Sequence, residues 1–169
     1  RVAGAAEQAG QADHGAAAHA VVAELREIGL GVDDALEELL PHRGINLLID
    51  AVRTSGEGND ARGECKLRIA DGDERGRDIF LRKNEDGRDV LIEATLAEHL
   101  ALGAICVMQP DLAPGEIAFF SLISKFDLSR EPRGGEGLIS SVKRLRDKGR
   151  FRRFEGEVRG DGDEAIARA

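Results

Sequence analysis

The longest apolar stretch of the chain is at residues 89–108, and the predicted strands lie before and after it. Its letters, DVLIEATLAEHLALGAICVM, are apolar almost all the way round a helix, which predicts a helix buried on most sides. At about 100° per residue, Thr95, Glu98 and His99 form one polar stripe, and Glu93 falls on the other side among apolar neighbours. We expect this carboxyl to be protonated, partnered or facing a cavity, and each condition suits acid–base chemistry. The alternative is a helix-start residue stabilised by the helix dipole.

Shorter stretches of alternating apolar and polar residues predict strands on both sides of that helix. Two predicted strands precede it, at residues 47–52 and 61–70, and three follow, at 117–126, 137–145 and 151–158, with a remnant at 165–169. The letters Asp147-Lys148-Gly149 predict a tight hairpin turn. This order indicates an antiparallel sheet that covers one helix, in the α+β class.

Length and composition narrow the class of protein. The chain has 169 residues, and we expect one domain at 33–169 preceded by an Ala-rich appendage or linker at 1–32. A formal net charge of −8 and the absence of Tyr and Trp argue against a nucleic-acid-binding protein. Cys65 and Cys106 follow no disulfide or metal-binding pattern, so we expect no metal, no cofactor and a reducing cytoplasm. Charges inside the long helix and the lack of a signal peptide predict a soluble protein.

Three motifs, in order, resemble the hotdog-fold 3-hydroxyacyl-(acyl carrier protein) dehydratases of the FabZ type. They are LLPHRGINLLIDAV at 39–52, VLIEATLA at 90–97 and the closing strands from FFSLISKFDLSR onward at 119–169. The resemblance covers roughly residues 36–169. It implies a hotdog fold, an antiparallel sheet wrapped around one long central helix, and it implies that Glu93 is catalytic.

The chain departs from the FabZ type where that family carries a His-Phe-Pro-Gly segment. Ile79 stands where the catalytic His is expected, and Phe80 follows it as in the family. A closer resemblance is to the dehydratase-like subunits of aryl-polyene and polyketide clusters, which begin with Pro-His-Arg and keep the helix Glu. Ala97 replaces the Gln that usually follows that Glu by four residues. The best remaining partner for Glu93 is His42, although a His there has the alternative role of holding the first strand.

Dehydration of a 3-hydroxyacyl thioester needs an acid, a base and a donor to the thioester carbonyl. Because the helix is predicted from residue 89, we expect the oxyanion donors to be the backbone N–H groups of Gly87, Arg88 and Asp89. We expect the residues lining the substrate channel to be Ile79, Phe80, Leu96 and Ala97. His99 is interpreted as structural or at a subunit contact, and Asp50 as a strand-end residue.

A basic run near the predicted hairpin stands out in this acidic chain. We expect it to dock an acidic acyl carrier protein, through Lys143, Arg144, Arg146, Arg150 and Arg152. The alternative is a solvated hairpin of alternating charge.

The first function hypothesis is a 3-hydroxyacyl-(acyl carrier protein) dehydratase, a hydro-lyase, or a dehydratase-like subunit of fatty-acid or polyketide synthesis. The alternatives are a non-catalytic hotdog partner and a hotdog acyl thioesterase. Expected partners are a carrier-protein-bound or CoA-bound acyl thioester and a second hotdog subunit, identical or different, with neither nucleic acid nor membrane.

Overall fold

The computed structural model describes residues 36, 40, 42–70, 72–74 and 79–169. The predicted appendage at 1–32 lies outside the described residues. Leu36 and Leu40 are buried in the core, and the Leu40 N–H donates to the Leu36 carbonyl at 2.9 Å, the bond of a helical turn.

One antiparallel sheet of six strands forms the main layer of the described chain. Its strands lie in the order β1 (Ala51–Ser55), β2 (Arg62–Arg68), β6 (Gly137–Lys148), β7 (Phe151–Arg159), β8 (Ala165–Arg168) and β5 (Asp127–Leu128). A separate hairpin joins β3 (Leu81–Lys83) to β4 (Asp89–Leu91). The predicted turn is confirmed, because Lys148 pairs with Phe151 across two residues, of which Gly149 has a positive φ of 61°. The predicted α+β class is confirmed.

The central helix, α1, runs over Glu93–Met108. The predicted start at residue 89 is wrong, because residues 89–91 pair with β3 instead. The predicted end is correct, since a short 3-10 turn at Gln109–Asp111 with a proline follows directly.

The helix packs against the inner face of the sheet, as the pattern predicts. Burial alternates strictly along β2, which places Gly63, Cys65 and Leu67 inward. The approach is close, because a Cβ on Gly63 would lie 2.8 Å from Val107 and one on Gly103 would lie 3.0 Å from the Cys65 sulfur. Glycine at these two positions therefore sets how near the helix lies to the sheet.

Two predicted strands differ from the structure. Residues 47–49 are buried but irregular, and β1 begins only at residue 51. The predicted strand at 117–126 is wrong, since regular pairing starts with the two residues of β5. In the single chain this segment leaves four large apolar side chains exposed, namely Ile117, Phe119, Phe120 and Leu122.

Candidate functional site

Two cavities border α1 on different faces. The first, which we call the apolar groove, has a volume of about 320 Å³. The helix contributes Ala97, Leu100, Ala101 and Ala104 to its wall, and the segment at 118–125 and strand β7 close the other side. The groove is therefore an elongated, mainly apolar space that follows the helix axis.

Glu93 is the first residue of α1 and its side chain is exposed in the single chain. This differs from the expectation of a buried carboxyl, since Glu93 and Ala94 are exposed at the helix start whereas Thr95 and Leu96 directly after them are buried. Residues four apart share a helix face, so Glu93 lies one turn before Ala97, about 6 Å along the axis. A carboxylate therefore stands on the helix stripe that lines the groove, beyond the groove's N-terminal end.

The second cavity, which we call the His42 cavity, lies on another face of α1. Its volume is about 640 Å³, and its wall includes His42, Phe80, Ile92, Thr95 and Glu98. Nε2 of His42 lies 3.2 Å from Oε1 of Glu98. The structure thus brings His42 to the polar stripe predicted on the helix.

His42 and Glu93 are not brought together within one chain. Glu98 follows Glu93 by five residues, which turns it about 140° around the helix and moves it about 7.5 Å along the axis. The carboxylate that His42 contacts is therefore Glu98, a residue that the sequence analysis placed on the polar stripe without a role.

His99, on the same stripe, is fully buried. Its Nδ1 lies 2.8 Å from the Leu48 carbonyl oxygen, to which the ring N–H donates. Burial lowers the pKa of His99 to about 4, so the ring is neutral near pH 7. The structural role predicted for His99 agrees with this geometry. The strand-end interpretation of Asp50 agrees as well, since its carboxylate accepts the Arg68 N–H at 2.6 Å.

The oxyanion donors predicted at Gly87, Arg88 and Asp89 do not lie at a helix start. They belong to the turn and strand of the β3–β4 hairpin. The Gly87 N–H donates to the Asn84 carbonyl and the Arg88 N–H to the Asn84 side chain, both at 2.9 Å. These two amides are therefore used by the turn.

The four residues predicted to line one channel occupy different places. Leu96 is fully buried in the core, and Ile79 is 48% exposed. Ala97 lines the apolar groove, whereas Phe80 lines the His42 cavity. The prediction of a shared channel wall is wrong for the single chain, because these residues lie on different faces of α1 or on the loop before it.

Arg144, one of the predicted docking residues, is buried and engaged. It is 4% exposed, and its guanidinium pairs with Asp111 and Asp147, the Nε–Oδ1 distance to Asp147 being 2.9 Å. The hydrogen bond from Arg144 lowers the pKa of Asp147. Arg152 lies beside the same carboxylate at 3.4 Å. The docking prediction is therefore wrong for Arg144, while Arg146 and Arg150 are exposed and Lys143 is half-buried.

The described residues contain no group of three His, Cys, Asp or Glu side chains placed to hold a metal ion. Cys65 and Cys106 are free and buried, and burial raises the pKa of the Cys65 thiol to about 12. No helix in the described part of the chain has the length and apolar character needed to span a bilayer.

Comparison with known proteins identifies the fold. No family model matches the chain. The 3-hydroxyacyl-[acyl-carrier-protein] dehydratase FabZ of Bacillus licheniformis is 25% identical over 129 residues, covering 76% of this chain and 85% of that protein.

Two solved structures share the architecture. The dehydratase heterocomplex ApeI:P of Xenorhabdus doucetiae matches with a TM-score of 0.53 and 21% identity, over 79% of this chain and 86% of that one. Zebrafish thioesterase superfamily member 2 matches with a TM-score of 0.50 and 12% identity, over 80% of this chain and 89% of that one. The chain therefore has the hotdog fold that these structures share, and its sequence is similar to that of a FabZ dehydratase.

Proposed function

We propose that this chain acts on acyl thioesters as a 3-hydroxyacyl-(acyl carrier protein) dehydratase or dehydratase-like subunit of fatty-acid or polyketide synthesis. The observation that carries the proposal is the position of Glu93 on the helix stripe that lines the apolar groove. An acyl chain lying in the groove would place its thioester end toward this carboxyl. The sequence similarity to FabZ supports dehydration as the reaction.

The chemistry requires removal of a proton from C2 and loss of the C3 hydroxyl as water. Glu93 is our candidate for one proton transfer. At the start of α1, the N–H groups of Glu93 and Ala94 are the candidate donors to the thioester carbonyl, whereas the Thr95 N–H donates to the Ile92 carbonyl at 3.0 Å. We propose His42 for the second proton transfer, as the sequence predicts. Because His42 contacts Glu98 and not Glu93 within one chain, a water molecule is the alternative partner for Glu93.

A second hotdog subunit, identical or different, is part of this proposal. The exposed apolar side chains of residues 117–122 border the groove, and a large exposed apolar patch is typical of an interaction surface. A partner seated there would cover both the patch and the groove. The ApeI:P heterocomplex supports a pairing of this kind.

Carrier-protein docking is proposed at the β6–β7 hairpin. Arg146 and Arg150 are exposed there, and their positive charge would attract an acidic partner despite the net negative charge of the chain. Arg144 belongs to the fold and not to this surface.

The competing function is an acyl thioesterase, which the similarity to a thioesterase superfamily structure supports. In a thioesterase reaction, Glu93 would activate water to attack the thioester carbonyl. A third candidate is a non-catalytic partner of an active hotdog subunit.

Incubation with a 3-hydroxyacyl-carrier protein, followed by mass spectrometry, separates these functions. A dehydratase gives the enoyl thioester with loss of one water, and this is the expected product. A thioesterase gives the free hydroxy acid. An unchanged substrate, with the protein folded, points to the non-catalytic partner and contradicts the proposal.

A further inference from the structure

Arg152 places a guanidinium group in the wall of the apolar groove. Along the first half of β7 the exposed residues are Phe151, Arg153 and Glu155, and the half-buried residues between them are Arg152 and Phe154. Because Phe154 packs against the hydrophobic core, Arg152 lies on the same inner face of the sheet, toward α1. Its side chain is 25% exposed. A charged group on this face needs hydrogen-bond partners, since partial burial removes water from it.

The two carboxylates nearest to Arg152 are bound by Arg144. Nε of Arg144 donates to Oδ1 of Asp147 at 2.9 Å, its Nη2 donates to Oδ2 of the same group, and its Nη1 donates to Asp111. Nε of Arg152 lies 3.4 Å from Oδ1 of Asp147 but makes no hydrogen bond with a described residue. We call these four side chains the Arg144 cluster. Two positive and two negative groups balance in it, so the cluster is neutral overall.

The guanidinium of Arg152 keeps donors that the described residues do not use. Its Nη1 donates to the Gly149 carbonyl at 2.7 Å. Its Nη2 donates to no described residue, and unlike Nε it remains accessible to solvent in the single chain. An oxygen atom that enters the groove at this point would therefore meet an unsatisfied N–H donor.

The Arg144 cluster lies at the C-terminal end of α1. Asp111, one of its members, belongs to the 3-10 turn that follows this helix directly. Arg152 therefore lies toward the same end of the groove. The helix wall of the groove runs from Ala97 to Met108, roughly 16 Å along the axis. An acyl chain whose thioester lies toward Glu93 would thus have its far end near Arg152.

We propose that Arg152 selects acyl chains that carry a hydrogen-bond-accepting oxygen at the end far from the thioester. The apolar wall would hold the carbon chain, and Nη2 of Arg152 would donate to the oxygen. A methyl-ended chain would exclude water from this donor without replacing its hydrogen bond, which costs free energy. Because the Arg144 cluster is neutral, a hydroxyl or carbonyl oxygen fits better than a carboxylate, whose charge would be unbalanced. This inference rests on the proposed function, because it assumes an acyl thioester with its thioester end toward Glu93.

Binding of unreactive substrate analogues to the full chain tests the inference without requiring turnover. Thioethers of N-acetylcysteamine with a 2-oxoalkyl chain keep a carbonyl near the sulfur but can be neither dehydrated nor hydrolysed. Three series, ending in a methyl, a hydroxyl or a carboxylate group, are compared at several chain lengths by calorimetry. The hydroxyl-ended analogue should bind more tightly than the methyl-ended one of equal length. This preference should appear only in chains long enough to span the groove.

Substitution of Arg152 shows whether this residue causes the preference. Arg152→Met keeps much of the stem and removes the donors, so it should weaken binding of the long hydroxyl-ended analogue about tenfold, the effect of one lost hydrogen bond. Binding of the methyl-ended analogue should not weaken. Arg152→Lys keeps a charged donor and should restore part of the preference. The matched control Arg53→Met changes an exposed residue of β1 and should leave both affinities unchanged.

The outcomes separate the inference from the proposed function. A preference for the hydroxyl end that depends on Arg152, without turnover of any thioester, supports the inference and contradicts the proposed reaction. No binding of any long analogue at millimolar concentration overturns the inference even if the wild type is an active dehydratase. So does a preference that survives in Arg152→Met, or an equal loss for both chain ends in a variant that urea unfolding shows to be folded. Tighter binding of the carboxylate-ended series would overturn the assignment of an uncharged oxygen.

Discussion

Nε2 of His42 lies 3.2 Å from Oε1 of Glu98, and the two side chains are 27% and 42% exposed. A polar contact this accessible to water contributes about 0–1 kcal/mol to stability, as exposed salt bridges do. We therefore predict that Glu98→Gln lowers the free energy of unfolding by less than about 1 kcal/mol in urea. A loss of several kcal/mol would contradict this prediction and show that the contact helps to hold the fold together.

His99 gives a prediction about pH. Its pKa is about 4 in the folded chain, because the ring is desolvated, and about 6.5 in the unfolded chain. The unfolded state therefore binds the proton first, and stability should fall as the pH drops from about 6.5 toward 4, by up to about 3 kcal/mol. Urea unfolding at several pH values measures this slope.

The control for that slope is His99→Asn, which keeps a donor near the Leu48 carbonyl and cannot titrate. This variant should be less stable at pH 7 but should lose less stability between pH 6.5 and 5 than the wild type does. An identical slope in both proteins would assign the acid sensitivity to other groups.

Arg144 gives a prediction that separates folding from docking. Its guanidinium is buried between Asp111 and Asp147, whose side chains are 41% and 38% exposed. Arg144→Met keeps much of the buried stem but removes the hydrogen bonds, so we expect a loss of about 1–3 kcal/mol in unfolding free energy. Arg150→Glu on the exposed turn should stay within about 0.5 kcal/mol of the wild type. Equal losses in the two variants would contradict the burial of Arg144.

Carrier-protein docking is tested by reversing charge on the hairpin. Arg146→Glu combined with Arg150→Glu should weaken carrier-protein binding, and more at low salt than at high salt, because the attraction is screened. The control is Arg53→Glu combined with Arg88→Glu, which makes the same charge change on exposed residues of β1 and the β3–β4 turn. If both double variants bind equally well, the basic hairpin is only a solvated surface.

The elements that the sequence predicts well are those set by local periodicity. The apolar residues all round α1 can be recognised from residues close together in the sequence, and so can the two-residue alternation along β2, β6 and β7. These elements agree with the structure. The same two-residue alternation also predicts that Arg144 points inward, although the sequence analysis did not apply it to this residue. Arg144 shares the inward parity of Leu138, Ser140 and Val142 along β6, whereas the sequence analysis grouped it by charge with its neighbours.

The sequence before α1 also contains residues from which the later start of the helix could have been predicted. Asn84 and Gly87 are turn-forming residues, and the structure uses them in the β3–β4 hairpin, with Gly87 at a positive φ of 76°. The contact between His42 and Glu98 had no such local signal. It joins residues 56 positions apart and depends on how the segment at 42–50 packs against α1.

Glu93→Gln tests the central claim most directly. The change keeps the size of the side chain and removes its charge and its proton, so turnover of a 3-hydroxyacyl thioester should fall about 10²–10⁴-fold while the chain stays folded. Glu85→Gln is the matched exposed control, and His42→Ala measured alongside shows whether His42 shares the proton transfer. The measurement is the rate of enoyl-thioester formation by each purified variant, together with its free energy of unfolding. Turnover at the wild-type rate in Glu93→Gln, with stability lowered by about 0.3–1 kcal/mol, would make Glu93 a helix-start residue and contradict the account.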